Sequence, residues 1–290
     1  MQNTGWKTLV VDKHCELSLK EGCIKVVSDG SEELYALGQV RDVMITSQQV
    51  RVSSSLLQEL GIRNIGCVFC DKKKQPTAQI MSLGTHNARQ HYLSQSKWGE
   101  LNKAGIWQCI IKNKIQNQML VLKKCLIDIP EELNSYLDNV EPDDITGREA
   151  MAVRVYFRAL FGMDFVRHRS DSINAALNYG YAILASMINR TIISRGYTTA
   201  IGIHHYSMEN PFNLTYDLIE PFRPIIDELV YENLWNPFDD QYKLQLISVG
   251  QIPVRYGKRN MLIATALEQF TDDVIRSMET NQIHIKDLSL

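Results

Sequence analysis

The chain has 290 residues, 44% of them hydrophobic, with 31 Lys plus Arg against 33 Asp plus Glu and a formal net charge of −2. That apolar content excludes a disordered chain and suffices for one large domain or two ordinary ones, while the balanced charge excludes a protein that binds nucleic acid by overall basicity. No run of about 18 apolar residues occurs, and the N-terminal MQNTGWKTLVV lacks a charged segment leading into an apolar stretch and a cleavage site, so a soluble cytoplasmic protein with no membrane association is expected.

Up to about residue 70 the pattern is that of strands. Thr8 to Val11 is one. Leu17 and Leu19 alternate with polar residues, Glu21-Gly22 follows, and Ile24 and Val26 alternate again, which predicts a hairpin. Val43 to Thr46 and Ile65 to Cys70 are further strands, and Ser53 to Leu60 is a short helix with Ser at its N-cap and Gly61 at its end. Six cysteines without a secretory signal predict reduced thiols. Of these, Cys67 and Cys70 form a CxxC, but on a strand residues three apart face opposite sides, so they read as core cysteines and not as a zinc pair.

Beyond Asp71 to Lys74 and the turn-like Gln75-Pro76-Thr77, helical segments take over: Thr85 through Lys124, Glu131 to Leu137, Thr146 to Phe161, and Ser172 to Arg195 closed by Gly196. In the helical stretch Leu214 to Tyr231, Pro221 and Pro224 predict a kink or a restart. The expected fold class is therefore α+β, with a small, mainly β N-terminal domain over residues 1–80 and a larger all-α C-terminal domain over 81–290.

Two stretches carry candidate chemistry. Thr146 and Glu149 have the spacing of a capping box, in which each side chain satisfies the other's backbone donor. Glu149 also shares a helical face with Val153, Tyr156 and Leu160, so its carboxylate points toward a buried side and needs a partner, a metal ion being one. Further on, Gly202-Ile203-His204-His205 precedes Asp217-Leu218-Ile219-Glu220-Pro221-Phe222-Arg223-Pro224. Residues 217 and 220 stack on one face of a helix, so two carboxylates can converge with an imidazole on a hard divalent cation.

These stretches, together with Asn174-Ala175-Ala176-Leu177-Asn178-Tyr179-Gly180-Tyr181 between them, closely resemble the CRISPR-associated protein one family, the adaptation integrase, in order and spacing. Gly5-Trp6-Lys7-Thr8-Leu9-Val10-Val11 and Val230-Tyr231-Glu232-Asn233 resemble the branch found in type II systems. The resemblance implies a metal-dependent DNA endonuclease and integrase that inserts new spacer DNA into a repeat array. It implies an N-terminal domain used for dimerisation and one Mg²⁺ or Mn²⁺ site. By matching positions the ligands and catalytic residues are Glu149, His205 and Glu220, the last standing where the family often has Asp. Asp217 is the supporting carboxylate, orienting His205 or reaching the ion through water, and His204 is a bystander. Implied partners are a second copy of the chain, CRISPR-associated protein two, double-stranded DNA as prespacer and repeat, and, in type II systems, the effector nuclease and a ring-forming DNA-binding protein, all in the bacterial cytoplasm.

Integration is an attack of a 3′ hydroxyl on a phosphodiester that displaces another 3′ oxygen, and a divalent cation stabilises the charge that develops on oxygen. Arg148 and Arg223 flank the expected ligands and match phosphate oxygens bidentately, although Arg223 can equally pair with Asp227 one turn on. Lys72, Lys73 and Lys74, Arg167 and Arg169, and Arg255, Lys258 and Arg259 are basic clusters that can neutralise DNA phosphates. Tyr181 falls on a stripe with Leu177, Leu184 and Ile188 and reads first as core. A scaffold that keeps the fold without turnover, and an unrelated metal phosphoesterase, are the competing readings.

Overall fold

The computed structural model describes residue 5, residues 7–72, 74, 76–80 and 88–290. Two compact units emerge, one formed by residues 1–88 with 193–196, the other by 89–192 with 197–290.

Unit one is built on strands β1 (Lys7–Val11), β2 (Cys15–Lys20), β3 (Cys23–Ser28), β4 (Ser31–Ala36), β5 (Val40–Ile45) and β6 (Val50–Val52), then helix α1 (Ser54–Ile62) and strands β7 (Gly66–Cys70) and β8 (Pro76–Ile80). They form two four-stranded sheets, ordered β1-β5-β7-β8 and β4-β3-β2-β6. Glu21 and Gly22 close the β2–β3 hairpin with φ of +46° and +74°, the left-handed pair that matches strand twist, and Asp29 and Gly30 repeat the device at +47° and +78° between β3 and β4. Leu17, Ile24, Val43, Leu56, Leu60 and Cys67 share one core drawn from both sheets and α1. Ser53 caps α1, its side chain accepting from the Leu56 N–H. Both CxxC cysteines are buried on β7, and burial pushes each thiol up to about 12, as core cysteines require.

Unit two holds α2 (Ala88–Gln95), α3 (Glu100–Lys124), α4 (Glu131–Asp138), α5 (Arg148–Phe161), α6 (Ser172–Ser194), α7 (Asn213–Ile219), α8 (Arg223–Glu232), α9 (Asp240–Ile247) and α10 (Ile263–Thr280). The expected helix from Thr85 to Lys124 is interrupted at Ser96–Gly99, with Gly99 at the N-cap of α3, and its expected start lies outside the described residues. Unit two is helical as expected but not wholly so. A small antiparallel sheet joins β9 (Pro253–Tyr256), β10 (Arg259–Leu262) and β11 (Leu288–Ser289), strands too short to leave a readable alternation. At Pro221 the chain tightens into a 3-10 turn, Glu220–Phe222, that links α7 to α8, and Pro224 falls in the first turn of α8. Each proline removes one helical N–H, and the turn absorbs the loss without ending the helical path. Among the described residues no helix is long and apolar enough to cross a membrane.

Candidate active site

Glu149 sits in the first turn of α5, and its start differs from the expected capping box. Gly147 occupies the N-cap in the left-handed region, φ +65°, and the cap oxygens come from Asp144, which accepts from the backbone N–H of Arg148 at 2.8 Å and of Glu149 at 2.9 Å. Glu149 is thus released from capping. Its carboxylate, about a third exposed, accepts instead from the ammonium of Lys114 on α3.

Lys114 is the functional residue that the sequence reading missed. Its side chain is 6% exposed, in a stripe with Trp107, Ile110, Ile111 and Val121, all buried. The signal was present: a lysine at a 3-4 position of an apolar helix face must have an anionic partner. It has two, because Nζ lies 2.6 Å from Oε2 of Glu220 as well as against Glu149. Burial works against the Lys114 charge, but Glu220 and Glu149 outweigh it and leave its pKa above the ordinary lysine range.

Glu220, 5% exposed, opens the 3-10 turn between α7 and α8. Its Oε1 lies 2.9 Å from Nε of Arg223. Both contacts, with Lys114 and with Arg223, are close ion pairs on a buried carboxylate. Burial pushes the Glu220 carboxyl up, yet Arg223 and Lys114 together carry it below its usual value. Arg223 therefore pairs backward with Glu220 and not forward with Asp227, while its guanidinium lies 4.7 Å from the Tyr181 ring centre. Asp227 accepts from the Tyr181 hydroxyl. Tyr181 is buried as expected, with a polar role at its tip.

His205 is placed by a loop whose backbone is pinned from several directions. Gln95 bonds the carbonyls of Thr198 and Ile201, both at 2.8 Å, and Asn213 bonds those of Ala200 and Ser207. Asp217, fully buried, gathers the rest. Its Oδ2 accepts from the N–H of Ile203 at 2.5 Å and of His204 at 3.2 Å, and its Oδ1 accepts from the N–H of His205 at 3.1 Å and from the ring Nδ1 at 2.6 Å. Gly202 lets this happen, because a Cβ there would lie 2.4 Å from the His205 carbonyl oxygen and 2.7 Å from Asp217 Oδ2. With Nδ1 donating to a carboxylate, Nε2 is the ring atom left to bind a cation or take a proton. The bond to Asp217 raises the His205 pKa above the ordinary imidazole value despite partial burial, and Glu220 adds to the effect. His204 turns elsewhere, stacked on Trp107 at 4.3 Å between ring centres, with Nδ1 2.8 Å from Asp143.

The three expected ligands thus lie in one neighbourhood, Glu149 and Glu220 joined through Lys114, and His205 within reach of the Glu220 charge. Their chemistry fits a hard divalent cation: two carboxylates, one of them buried, and an imidazole anchored through Nδ1. Among the described residues no three such groups already converge as a cage. The other expected residues separate. Arg148 rests on Met151 and over Tyr136. Arg167 is held by Asn174 and Asn178 at 2.7 and 2.6 Å, and Arg169 is exposed. Arg255, Lys258 and Arg259 are all exposed on the β9–β10 hairpin. Lys72 is exposed and Lys74 half-buried, while Lys73 lies outside the described residues.

A family model described as CRISPR associated protein Cas1 matches residues 8–236. The chain belongs to the Cas1 family. It is 32% identical over 224 residues to a CRISPR-associated endonuclease Cas1 of Neisseria meningitidis serogroup C (strain 8013), a match that covers 77% of this chain and 74% of the relative. Among solved structures it is similar to a casposase bound to integration product, with a TM-score of 0.78 and 17% identity over 95% of this chain and 91% of that one. It also matches a chain of a Cas6-RT-Cas1–Cas2 complex with a TM-score of 0.73 and 18% identity, covering 99% of this chain and 37% of that chain. The expectation of a Cas1-type nuclease of a CRISPR system is met, and an unrelated phosphoesterase is set aside.

Proposed function

We propose that this Cas1-family chain joins captured DNA to a repeat at a single divalent metal site whose ligands are Glu149, His205 and Glu220. The observation that carries the reading is the Asp217 clamp, which fixes the His205 ring from one side and leaves Nε2 directed to chemistry. His205 bonds that buried carboxylate through both its backbone N–H and its ring Nδ1, while the N–H groups of Ile203 and His204 fix the loop beside it. When bound, Mg²⁺ or Mn²⁺ supplies Lewis-acid stabilisation of charge on the phosphoryl and attacking or leaving oxygens. His205 is held in one orientation by Asp217, and its Nε2 can hold a proton or a ligand bond at a fixed point. Arg223, locked against Glu220 and Tyr181, keeps positive charge beside the scissile phosphate. Burial of Glu220 and Lys114 excludes water from one side of the site. Water replacing the 3′ hydroxyl as nucleophile gives strand cutting.

DNA is the substrate, as a similar Cas1 structure in complex with DNA supports, and Arg255, Lys258 and Arg259 offer three exposed cations on one hairpin for its phosphates. Lys72, Lys74, Arg167 and Arg169 are secondary contacts, with Arg148 nearer the ligands. The working assembly is a homodimer through unit one with CRISPR-associated protein two, a partner that the similar Cas1–Cas2 complex supports. In a type II system it cooperates with the effector nuclease and a ring-forming DNA-binding protein in the bacterial cytoplasm. The competing reading, a DNA-binding scaffold without turnover, draws on Lys114, which already neutralises two of the acids.

The test is strand transfer of a short duplex with free 3′ ends into a supercoiled repeat-bearing plasmid, with the partner subunit present, comparing wild type, Glu149→Ala and His205→Ala in Mg²⁺, Mn²⁺ and EDTA. Joining by wild type alone, and only with metal, supports the integrase site. Equal DNA binding by all three with no joining under any metal gives the scaffold reading.

A further inference from the structure

Between Glu149 and Glu220 stands a cation that the protein itself supplies. The Lys114 ammonium touches Oε1 of one carboxylate and Oε2 of the other, and it enters from the buried face of α3, so its position is set by a helix and not by a loop. Asn117, one turn on, donates to the Pro221 carbonyl at 3.0 Å and ties the same helix to the turn that carries Glu220. One feature separates this arrangement from a permanent structural ion pair: Glu149 is about a third exposed, so its side of the pair is open to exchange from solvent, while Lys114 and Glu220 are buried. A divalent ion shared by both carboxylates has to occupy the space where the ammonium now lies, and two cations cannot share it.

We propose that Lys114 is a built-in counter-cation, which holds Glu149 and Glu220 together in the metal-free protein and is displaced when a divalent ion binds them. It is a positioning residue that sets metal affinity. Without it the two carboxylates repel each other; with it the site stays assembled, and each binding event must expel an ammonium first. This rests on the assignment of Glu149 and Glu220 as metal ligands.

The experiment measures Mn²⁺ binding to the full chain by calorimetry and by Mn²⁺ electron paramagnetic resonance, for wild type, Lys114→Met, Lys114→Arg and Glu149→Gln, with thermal unfolding of each in EDTA and in Mn²⁺. Lys114→Met, which loses the charge but keeps the length, should bind Mn²⁺ about tenfold tighter or better, as removal of a neighbouring like charge implies. It should also melt below wild type in EDTA and regain the difference in Mn²⁺, whereas Lys114→Arg, which keeps the charge, should not gain affinity. Unchanged or weaker Mn²⁺ binding by a folded Lys114→Met, with Glu149→Gln still abolishing wild-type binding, overturns the role of Lys114 and leaves the metal site standing. Wild-type binding that is absent, or indifferent to Glu149→Gln, overturns both. Should Lys114→Met fail to fold, the wild-type protein decides: the ¹⁵Nζ resonance of Lys114, identified by its loss in Lys114→Arg, should shift on saturation with Mg²⁺, and a resonance unmoved at saturation overturns displacement.

Discussion

Replacing Asp217 by Asn removes one carboxylate oxygen and nothing else in volume, which makes it a strict test of how His205 is held. Four donors converge on that side chain, three backbone N–H groups and the ring Nδ1, two on each oxygen. An amide has a single acceptor oxygen, so two donors lose their partner and confront an NH₂ group instead, in a place with no access to water. Hydrogen bonds to a charged acceptor contribute about 1.5–3 kcal/mol each, so the loss should come to about 3–6 kcal/mol. Urea melts of the two proteins measure it. The same change removes the main cause of the raised His205 pKa, so a histidine NMR titration should show that ring falling toward or below its ordinary value. A stability loss under about 1 kcal/mol, or a His205 titration that does not move, would refute the clamp.

Three further outcomes follow from the same geometry. Gly202→Ala drives a methyl against the His205 carbonyl and Asp217 Oδ2, and should cost about 1–3 kcal/mol in urea melts while cutting strand transfer as far as His205→Ala does. Asp144→Ala removes the cap of α5 and should cost about 1–2 kcal/mol, whereas Thr146→Ala, the residue a capping box would need, should change stability by less than about 0.5 kcal/mol; equal effects would restore the box. Burial raises Asp227 from 3.8 to about 7, opposed by its bond to Tyr181. From about pH 4 to 7 the unfolded chain therefore releases a proton that the folded chain keeps, and this contribution to stability, full below pH 4, is lost as pH rises through 7, by about 4 kcal/mol at most. Asp227→Asn should gain on wild type steadily between pH 4.5 and 8 in urea melts, and a difference that stays constant would contradict the assignment.

Most elements were legible because their causes are local. Alternation and the Glu21-Gly22 turn mark the β2–β3 hairpin, and Pro221 and Pro224 mark the break between α7 and α8. Strand β4 was equally marked by Asp29-Gly30 but its face is mostly exposed, so no apolar alternation announced it. At the site, the family resemblance implied Asp217 as a supporting carboxylate, orienting His205 or reaching an ion through water, and the structure bonds Asp217 to His205 Nδ1. The Asp144 cap was missed because Gly147, in a left-handed conformation, starts α5 one residue later than Thr146 would, and an acid five residues upstream then reaches the free N–H of Glu149. Lys114 was missed for a different reason: its partners lie 35 and more than 100 residues away along the chain, and no local pattern names them.

Helix α3 presents Trp107 to His204, Lys114 to the two glutamates, and Asn117 to Pro221. Trp107 and Lys114 are two turns apart on one face, so a straight rod spaces the imidazole side of the site from the carboxylate side. Such a rod behaves as a ruler. One residue added between these marks turns everything beyond it by about 100° and advances it about 1.5 Å, leaving helical content intact and the site out of register. A change in the spacing from Trp107 to Lys114 would therefore mark a chain whose site is assembled on other terms.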